Sequence, residues 1–187
     1  DLRMSRGLGD VYKRQVWTSL RNASTVCDAI AETLTEMDPE NKDIYQSNAE
    51  AYQKKLANLD AEYQNTVENA KQNTLLFADR FPFRYLTDDY GLNYYAAFSG
   101  CSAESEASFK TITFLARKID ELGLNSVFTI EKSDDRIAQT VIENTKTKDQ
   151  NILVLNSMQS ITSEEIADGT TYLSVMEENL KTLKEAL

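Results

Sequence analysis

Histidine is absent from this chain of 187 residues. The sequence therefore lacks the commonest general base in enzymes and the imidazole of serine-type catalytic triads. It also lacks the nitrogen ligand found in most zinc sites. Any catalytic chemistry must therefore rely on carboxylates, lysine, tyrosine, serine or cysteine.

Long apolar runs and cysteines are also scarce. No run reaches the roughly 20 apolar residues that a membrane-spanning helix needs, so the sequence predicts no such helix. The two cysteines, Cys27 and Cys101, are compatible with one disulfide or with two free thiols, because sequence alone does not place them within bonding distance. The cysteines therefore do not indicate whether the protein works in an oxidising or a reducing compartment.

Acidic residues dominate the charge. The chain has 20 Lys and Arg against 30 Asp and Glu, a net charge of −10, and 41% hydrophobic residues. A basic surface is needed to bind the phosphates of nucleic acid. The composition therefore argues against nucleic acid as a partner, and it suits one compact domain or a domain with an appendage.

The first fifteen residues differ from the rest of the chain. Residues 1–15 carry four basic and two acidic side chains, and the stretch 6–15 resembles a translated sequencing adaptor. We interpret residues 1–15 as non-native sequence without a structural role. The alternative is a genuine basic arm.

Apolar residues at helical spacing predict two helices after this segment. The first is capped by Asn22 or Ser24 and ends before Pro39. The second runs from Pro39 to about Lys71, and at about 1.5 Å per residue it would be roughly 45 Å long. A helix of that length exceeds one small domain, so we expect it to connect two bodies.

Beyond Asn73 short apolar runs alternate with helical segments. Strands are predicted at 74–78, 94–98, 126–130 and 152–155, and helices at 81–90, 106–122, 134–146 and 170–185. This alternation predicts an α/β fold with a parallel sheet of about four strands and flanking helices. Ligands of such sheets bind beyond the carboxyl ends of the strands.

Polar side chains follow three of the predicted strands and are the candidate oxygen donors. Asp79 follows the first strand, Glu131 the third and Asn156 the fourth. Other roles remain open for two of them. Asp79 could instead form an ion pair with Arg80 or Arg84 or cap a helix, and Asn156 could hydrogen-bond within its loop.

The remaining polar groups at these strand ends also have two interpretations. Glu131 could pair with Lys132 or contact a helix terminus instead of a metal ion. Glu104 and Glu106 lie in a serine-rich loop before a helix, whose N-terminus they would complement electrostatically. Cys101 is a possible soft ligand or nucleophile, but an idle thiol is the simpler interpretation.

Several longer stretches resemble a known family. The matching stretches are Val16-Trp17-Thr18-Ser19 with Asn22-Ala23, Met37-Asp38-Pro39-Glu40-Asn41, Asp89-Tyr90-Gly91-Leu92 and the terminal Gly169-Thr170-Thr171-Tyr172-Leu173-Ser174-Val175-Met176-Glu177-Glu178-Asn179-Leu180. Together they resemble the metal-specific solute-binding proteins of ABC importers, the zinc and manganese class. The resemblance implies capture of zinc or manganese outside the cell and delivery to a membrane permease, without catalysis.

The resemblance also implies a domain organisation. Two α/β lobes would be joined by a long helix, with the metal between them. Residues 16–38 would then be a remnant of the N-terminal lobe, 39–72 the linker helix and 73–187 the C-terminal lobe. The parent protein would be a monomeric lipoprotein or periplasmic protein, with its signal or anchor segment outside this chain.

The chain departs from the family pattern at the expected metal ligands. The family usually has a histidine directly before the Val-Trp pair, where this chain has Gln15. The next family ligand falls by ungapped spacing on Arg80, a permanent cation, and the last falls on Asn156. The predicted ligands are therefore Asp79, Glu131 and Asn156, oxygen donors that suit manganese better than zinc.

Two other functions remain as alternatives. One is a small α/β hydrolase or transferase that uses Asp79, Glu131 and Cys101. The lack of histidine, of a glycine-rich phosphate loop and of a Gly-x-Ser-x-Gly motif argues against it. The other is an interaction module built on the long helix, which would need an exposed apolar stripe.

Overall fold

The computed structural model describes residues 15–98 and 106–187. Its strands are β1 Thr74–Arg80, β2 Asn93–Phe98, β3 Ser126–Ile130 and β4 Asn151–Leu155. Its α-helices are α1 Leu20–Met37, α2 Lys42–Glu68, α3 Arg84–Tyr90, α4 Phe109–Leu122, α5 Arg136–Glu143, α6 Ser163–Ala167 and α7 Tyr172–Ala186, with 3₁₀ turns at Val16–Thr18 and Pro39–Asn41.

The four strands form one parallel sheet in the order β2-β1-β3-β4. The central strands β1 and β3 are buried almost throughout, because helices cover both faces of the sheet. The edge strands β2 and β4 are exposed or half-buried along most of their length, and only the last residue of each is buried. The predicted α/β fold with a four-stranded parallel sheet is confirmed.

Buried apolar clusters cover the two faces of the sheet. On one face the ring of Phe77 lies 5.1 to 5.4 Å, centroid to centroid, from those of Phe81, Phe83 and Phe128. This cluster continues into α2 and α7, whereas the other cluster packs α4 and α5 against the sheet. Aromatic pairs at such distances contribute beyond their buried area.

The two N-terminal helices differ in detail from their predicted limits. Ser19, not Asn22 or Ser24, caps α1, and its Oγ accepts a hydrogen bond from the backbone N–H of Asn22 at 3.0 Å. The 3₁₀ turn at Pro39–Asn41 precedes α2, so the long helix has 27 residues and a length of about 40 Å. The predicted long helix is therefore present but shorter.

The apolar stripe of α2 is covered by the chain itself. Leu56, Leu59 and Tyr63 are at most 5% exposed, and the Tyr63 hydroxyl donates to the Met176 carbonyl at 2.6 Å. The interaction-module alternative, which needs this stripe exposed, is not supported. An exposed stripe lies instead on α1, where it comprises Val26, Ile30, Leu34 and Met37.

Several predictions concern residues at the ends of the described ranges. Residues 1–14, Cys101 and Glu104 lie outside the described residues. Gln15 is 1% exposed, and its carbonyl accepts from the Thr18 N–H at 3.1 Å, so this residue does have a structural role.

Cys27 carries a free thiol, and burial raises its pKa. None of the helices in the described ranges has the length and apolarity to cross a membrane.

Candidate metal site

Three predicted donors lie where their parallel strands end. Asp79 is the penultimate residue of β1, Glu131 directly follows β3, and Asn156 directly follows β4. Since all pairings are parallel, these ends meet at one edge of the sheet, here called the carboxyl edge. Glu106, the remaining described candidate, is exposed in the segment before α4.

Asp79 is held by two backbone N–H groups. Its Oδ1 accepts from the Arg80 N–H at 2.7 Å, and its Oδ2 accepts from the Ile130 N–H at 3.4 Å. The Arg80 guanidinium lies 3.7 Å from Oδ1, so the ion pair considered above is formed. A carboxylate has about four acceptor positions, so the 8% exposed Asp79 keeps capacity for a further partner.

Glu131 is surrounded by donors from a single loop, residues 156–160, here called the β4 loop. Its Oε2 accepts from the Ser157 N–H at 2.7 Å, and its Oε1 accepts from the Ser157 hydroxyl at 2.9 Å. Oε1 also accepts from the Gln159 N–H at 3.0 Å and the Ser160 hydroxyl at 3.4 Å. Three of these bonds end on Oε1 and one on Oε2, so the β4 loop engages both oxygens and uses most of the acceptor capacity of the carboxylate.

Asn156 uses its amide oxygen within the same loop. The oxygen accepts from the Met158 N–H at 2.8 Å, a local turn that asparagine often forms. The Asn156 backbone is held by Asn179 of α7, which accepts from its N–H at 2.8 Å and donates to its carbonyl at 2.9 Å. Loop hydrogen bonding, considered above for Asn156, is therefore present.

The segment before α1 is attached to the β4 loop by contacts that sequence reasoning missed. The Trp17 indole N–H donates to the Ser157 carbonyl at 3.0 Å. The Tyr172 hydroxyl donates to the Trp17 carbonyl at 2.8 Å. The only available signal was that Trp17 is the sole tryptophan and lies in one of the family-like stretches.

A second attachment links α1 to α3. The Ser19 hydroxyl donates to Asp89 Oδ2 at 2.6 Å while its oxygen caps α1. Burial raises the pKa of Asp89, although the hydrogen bond from Ser19 and the charge of Arg21 act in the opposite direction.

The loops at the carboxyl edge contain left-handed backbone at residues other than glycine. Lys132 and Asp135, after β3, have φ of 60° and 57°, and Met158 in the β4 loop has φ of 61°. Such conformations cost free energy and persist only where surrounding contacts impose them. The bonds to Glu131 and Asn156 supply contacts of this kind.

The described ranges do not contain a complete metal centre. No group of three or more Cys, Asp or Glu side chains in them is close enough to hold a metal ion. A closed transition-metal site needs about four donors. Among Asp79, Glu131 and Asn156, Asp79 has the most spare acceptor capacity, whereas the β4 loop engages the side-chain oxygens of the other two.

Comparison with known families decides between the interpretations. The family described as "ZnuA: Zinc-uptake complex component A periplasmic" matches residues 9–186, nearly the whole chain. The chain belongs to the ZnuA family of metal-binding solute-binding proteins. This membership replaces the hydrolase or transferase alternative, since it is a family of solute-binding proteins and not of enzymes.

Similar ZnuA-family proteins are known in several bacteria. The zinc-binding lipoprotein AdcA of Streptococcus pneumoniae R6 is 32% identical over 174 residues, which cover 93% of this chain and 34% of AdcA. The high-affinity zinc uptake system protein ZnuA of Bacillus subtilis is 28% identical over 172 residues, covering 92% and 52%. The chain thus spans about a third to a half of these relatives.

A solved structure agrees with the fold. The Zn(II)-bound ZnuA-like domain of Streptococcus pneumoniae AdcA superimposes with a TM-score of 0.74 and 31% identity, covering 92% of this chain and 62% of that domain. The resemblance inferred from the short stretches above is therefore confirmed at the level of the family and of the fold.

Proposed function

We propose that this chain contributes one side of a zinc site in the solute-binding component of an ABC importer. The parent protein would capture zinc outside the cytoplasmic membrane and deliver it to the permease, without catalysis. Membership of the ZnuA family supports the assignment. A position as lipoprotein or periplasmic protein is supported by the family description and by the printed name of the pneumococcal relative.

Asp79 is the donor that we assign to zinc from this chain. The observation that carries this assignment is its position at the carboxyl edge with acceptor capacity beyond its two backbone bonds. Glu131 and Asn156 remain predicted ligands. Their hydrogen bonds to the β4 loop favour a supporting role, because a bound metal would have to displace them.

Zinc is preferred here over manganese. Oxygen donors alone would favour manganese. The donors of this chain are only part of a set, however, because a closed zinc site needs about four. The AdcA and ZnuA relatives compared above carry zinc in their names. A ligand set completed by other residues would remove the preference for manganese.

Calorimetric titration of the 187-residue chain with Zn²⁺ and Mn²⁺ tests this function. We expect weak one-to-one binding of Zn²⁺ that is lost in Asp79→Asn, because the donor count is incomplete. Glu164→Gln is the matched control, since it removes the same charge from an exposed position at the start of α6. A tight site that survives Asp79→Asn would contradict the assignment.

A further inference from the structure

The β4 loop occupies a central place in the polar contacts of the carboxyl edge. On one side four of its donors converge on the Glu131 carboxylate, at 2.7 to 3.4 Å. On the other side the carbonyl of Ser157 accepts the indole N–H of Trp17. Ser157 itself is 0% exposed, and it takes part in three of these bonds, two to Glu131 and one from Trp17.

The contacts around Trp17 extend this connection to the start of the described chain. Trp17 lies in the 3₁₀ turn Val16–Thr18, which begins directly after the buried Gln15. The turn is held from α7 as well, because the Tyr172 hydroxyl donates to the Trp17 carbonyl. The turn therefore makes two long-range polar contacts through one residue, and one of them depends on the β4 loop.

The backbone of the β4 loop needs external support. Met158 has a φ of 61°, which is unfavourable for a side chain of its size. Lys132, with φ of 60°, directly follows Glu131 and donates through Nζ to the Ser160 carbonyl. Bonds from the segment after β3 thus hold a loop that would otherwise relax.

We infer that Glu131 is a positioning residue, which holds the β4 loop so that Ser157 can fix Trp17 and the Val16–Thr18 turn at the carboxyl edge. Glu131 acts on the turn through Ser157, which bonds to both Glu131 and Trp17. The consequence for metal binding rests on the proposed function: the turn holds Gln15, which directly precedes it, at the edge that carries Asp79. The structural part of the inference holds for the metal-free chain.

The single tryptophan makes the inference directly measurable. The chain gives one indole N–H signal in a proton–nitrogen NMR spectrum, and its hydrogen exchange reports the bond to Ser157. In Glu131→Gln one oxygen acceptor is replaced by an amide donor that faces a donor of the loop. We expect indole exchange to become about tenfold faster, a loss typical of one hydrogen bond to a charged group.

The control variant separates positioning from a general effect of charge. Glu164→Gln removes the same charge from an exposed position near the β4 loop, and we expect its indole exchange to match that of the unmodified chain. Unchanged indole exchange in folded Glu131→Gln would overturn the inference. Equal acceleration in both variants would also overturn it.

If Glu131→Gln does not fold, a second variant, Ser157→Ala, tests the positioning role of Glu131. Ser157→Ala removes one hydroxyl donor to Glu131 and leaves the carbonyl that accepts from Trp17. We expect a smaller acceleration of indole exchange, and an unchanged rate would overturn the inference. Because these measurements need no metal, their failure would leave the zinc assignment of Asp79 standing, and a failed zinc titration would leave Glu131 as a positioning residue.

Discussion

The ends of β1 and β3 carry the same kind of group in two different settings. Asp79, at the end of β1, accepts from two backbone N–H groups, those of Arg80 and Ile130. Glu131, just after β3, accepts four hydrogen bonds, all from the β4 loop. The two carboxylates therefore differ in the donors that surround them, which are strand backbone N–H groups at Asp79 and a loop at Glu131.

The largest effect is expected from removing Glu131. Glu131→Ala leaves four donors without their shared acceptor and releases the strained β4 loop. We expect a loss of about 3 kcal/mol in the free energy of unfolding, against about 1 kcal/mol for Asp79→Ala. Urea unfolding of both variants measures the difference. Glu164→Ala serves as the exposed control, and equal losses for Asp79→Ala and Glu131→Ala would remove the distinction between the two strand ends.

Replacing Arg80 should strengthen zinc binding at Asp79. Arg80 lies 3.7 Å from the Asp79 carboxylate, so its charge opposes a bound cation. Replacing it by glutamine should raise zinc affinity by up to about thirtyfold, since a unit charge and a doubly charged ion about 4 Å apart in water repel by about 2 kcal/mol. Arg80→His should raise the affinity further, because it also adds an imidazole donor.

Calorimetry of Arg80→Gln and Arg80→His separates the two contributions. The glutamine variant removes only the charge, and the histidine variant removes the charge and adds a ligand. Zinc affinity that stays the same in both variants would mean that Arg80 and Asp79 lie away from the metal.

A third carboxylate, that of Asp89, allows a test in which the expected effect on stability is smaller. Burial raises its pKa above the ordinary value of 3.8. A raised pKa in the folded chain means that the stabilising contribution of Asp89 is present at low pH. It is lost as the pH rises through that raised pKa. Asp89→Asn keeps an oxygen for the Ser19 hydroxyl but has no charge to bury.

We therefore expect Asp89→Asn to gain stability relative to the unmodified chain as the pH increases from 3.8 towards neutrality. Thermal unfolding across this range gives the difference in melting temperature. A difference that shrinks with increasing pH would show that the charged form of Asp89 is favoured by its surroundings.

The fold could be predicted from sequence because its signals are local. Buried runs such as 74–78 and 126–130, separated by helical segments, indicate a parallel sheet, and the direction of its strands fixes which edge collects Asp79, Glu131 and Asn156. The limits of the helices were harder to predict. Ser19 was not identified as the cap of α1, because several cap-forming residues occur close together.

The roles of the edge residues could not be predicted in the same way. Whether Glu131 keeps acceptor capacity depends on where Ser157 and Gln159 point, and those residues are 26 and 28 positions away. The contact between Trp17 and Ser157 spans 140 positions. Pairings over such distances depend on the packing of α7 and the β4 loop, which local patterns do not encode.

The most direct test compares the two strand ends during one zinc titration. The backbone N–H groups of Arg80 and Ile130 donate to Asp79, and those of Ser157 and Gln159 donate to Glu131. In proton–nitrogen NMR spectra of the chain we expect saturable zinc-induced shifts that are larger for the first pair. Larger shifts for the second pair, or shifts spread over exposed carboxylates alone, would contradict the assignment of Asp79 as the zinc donor.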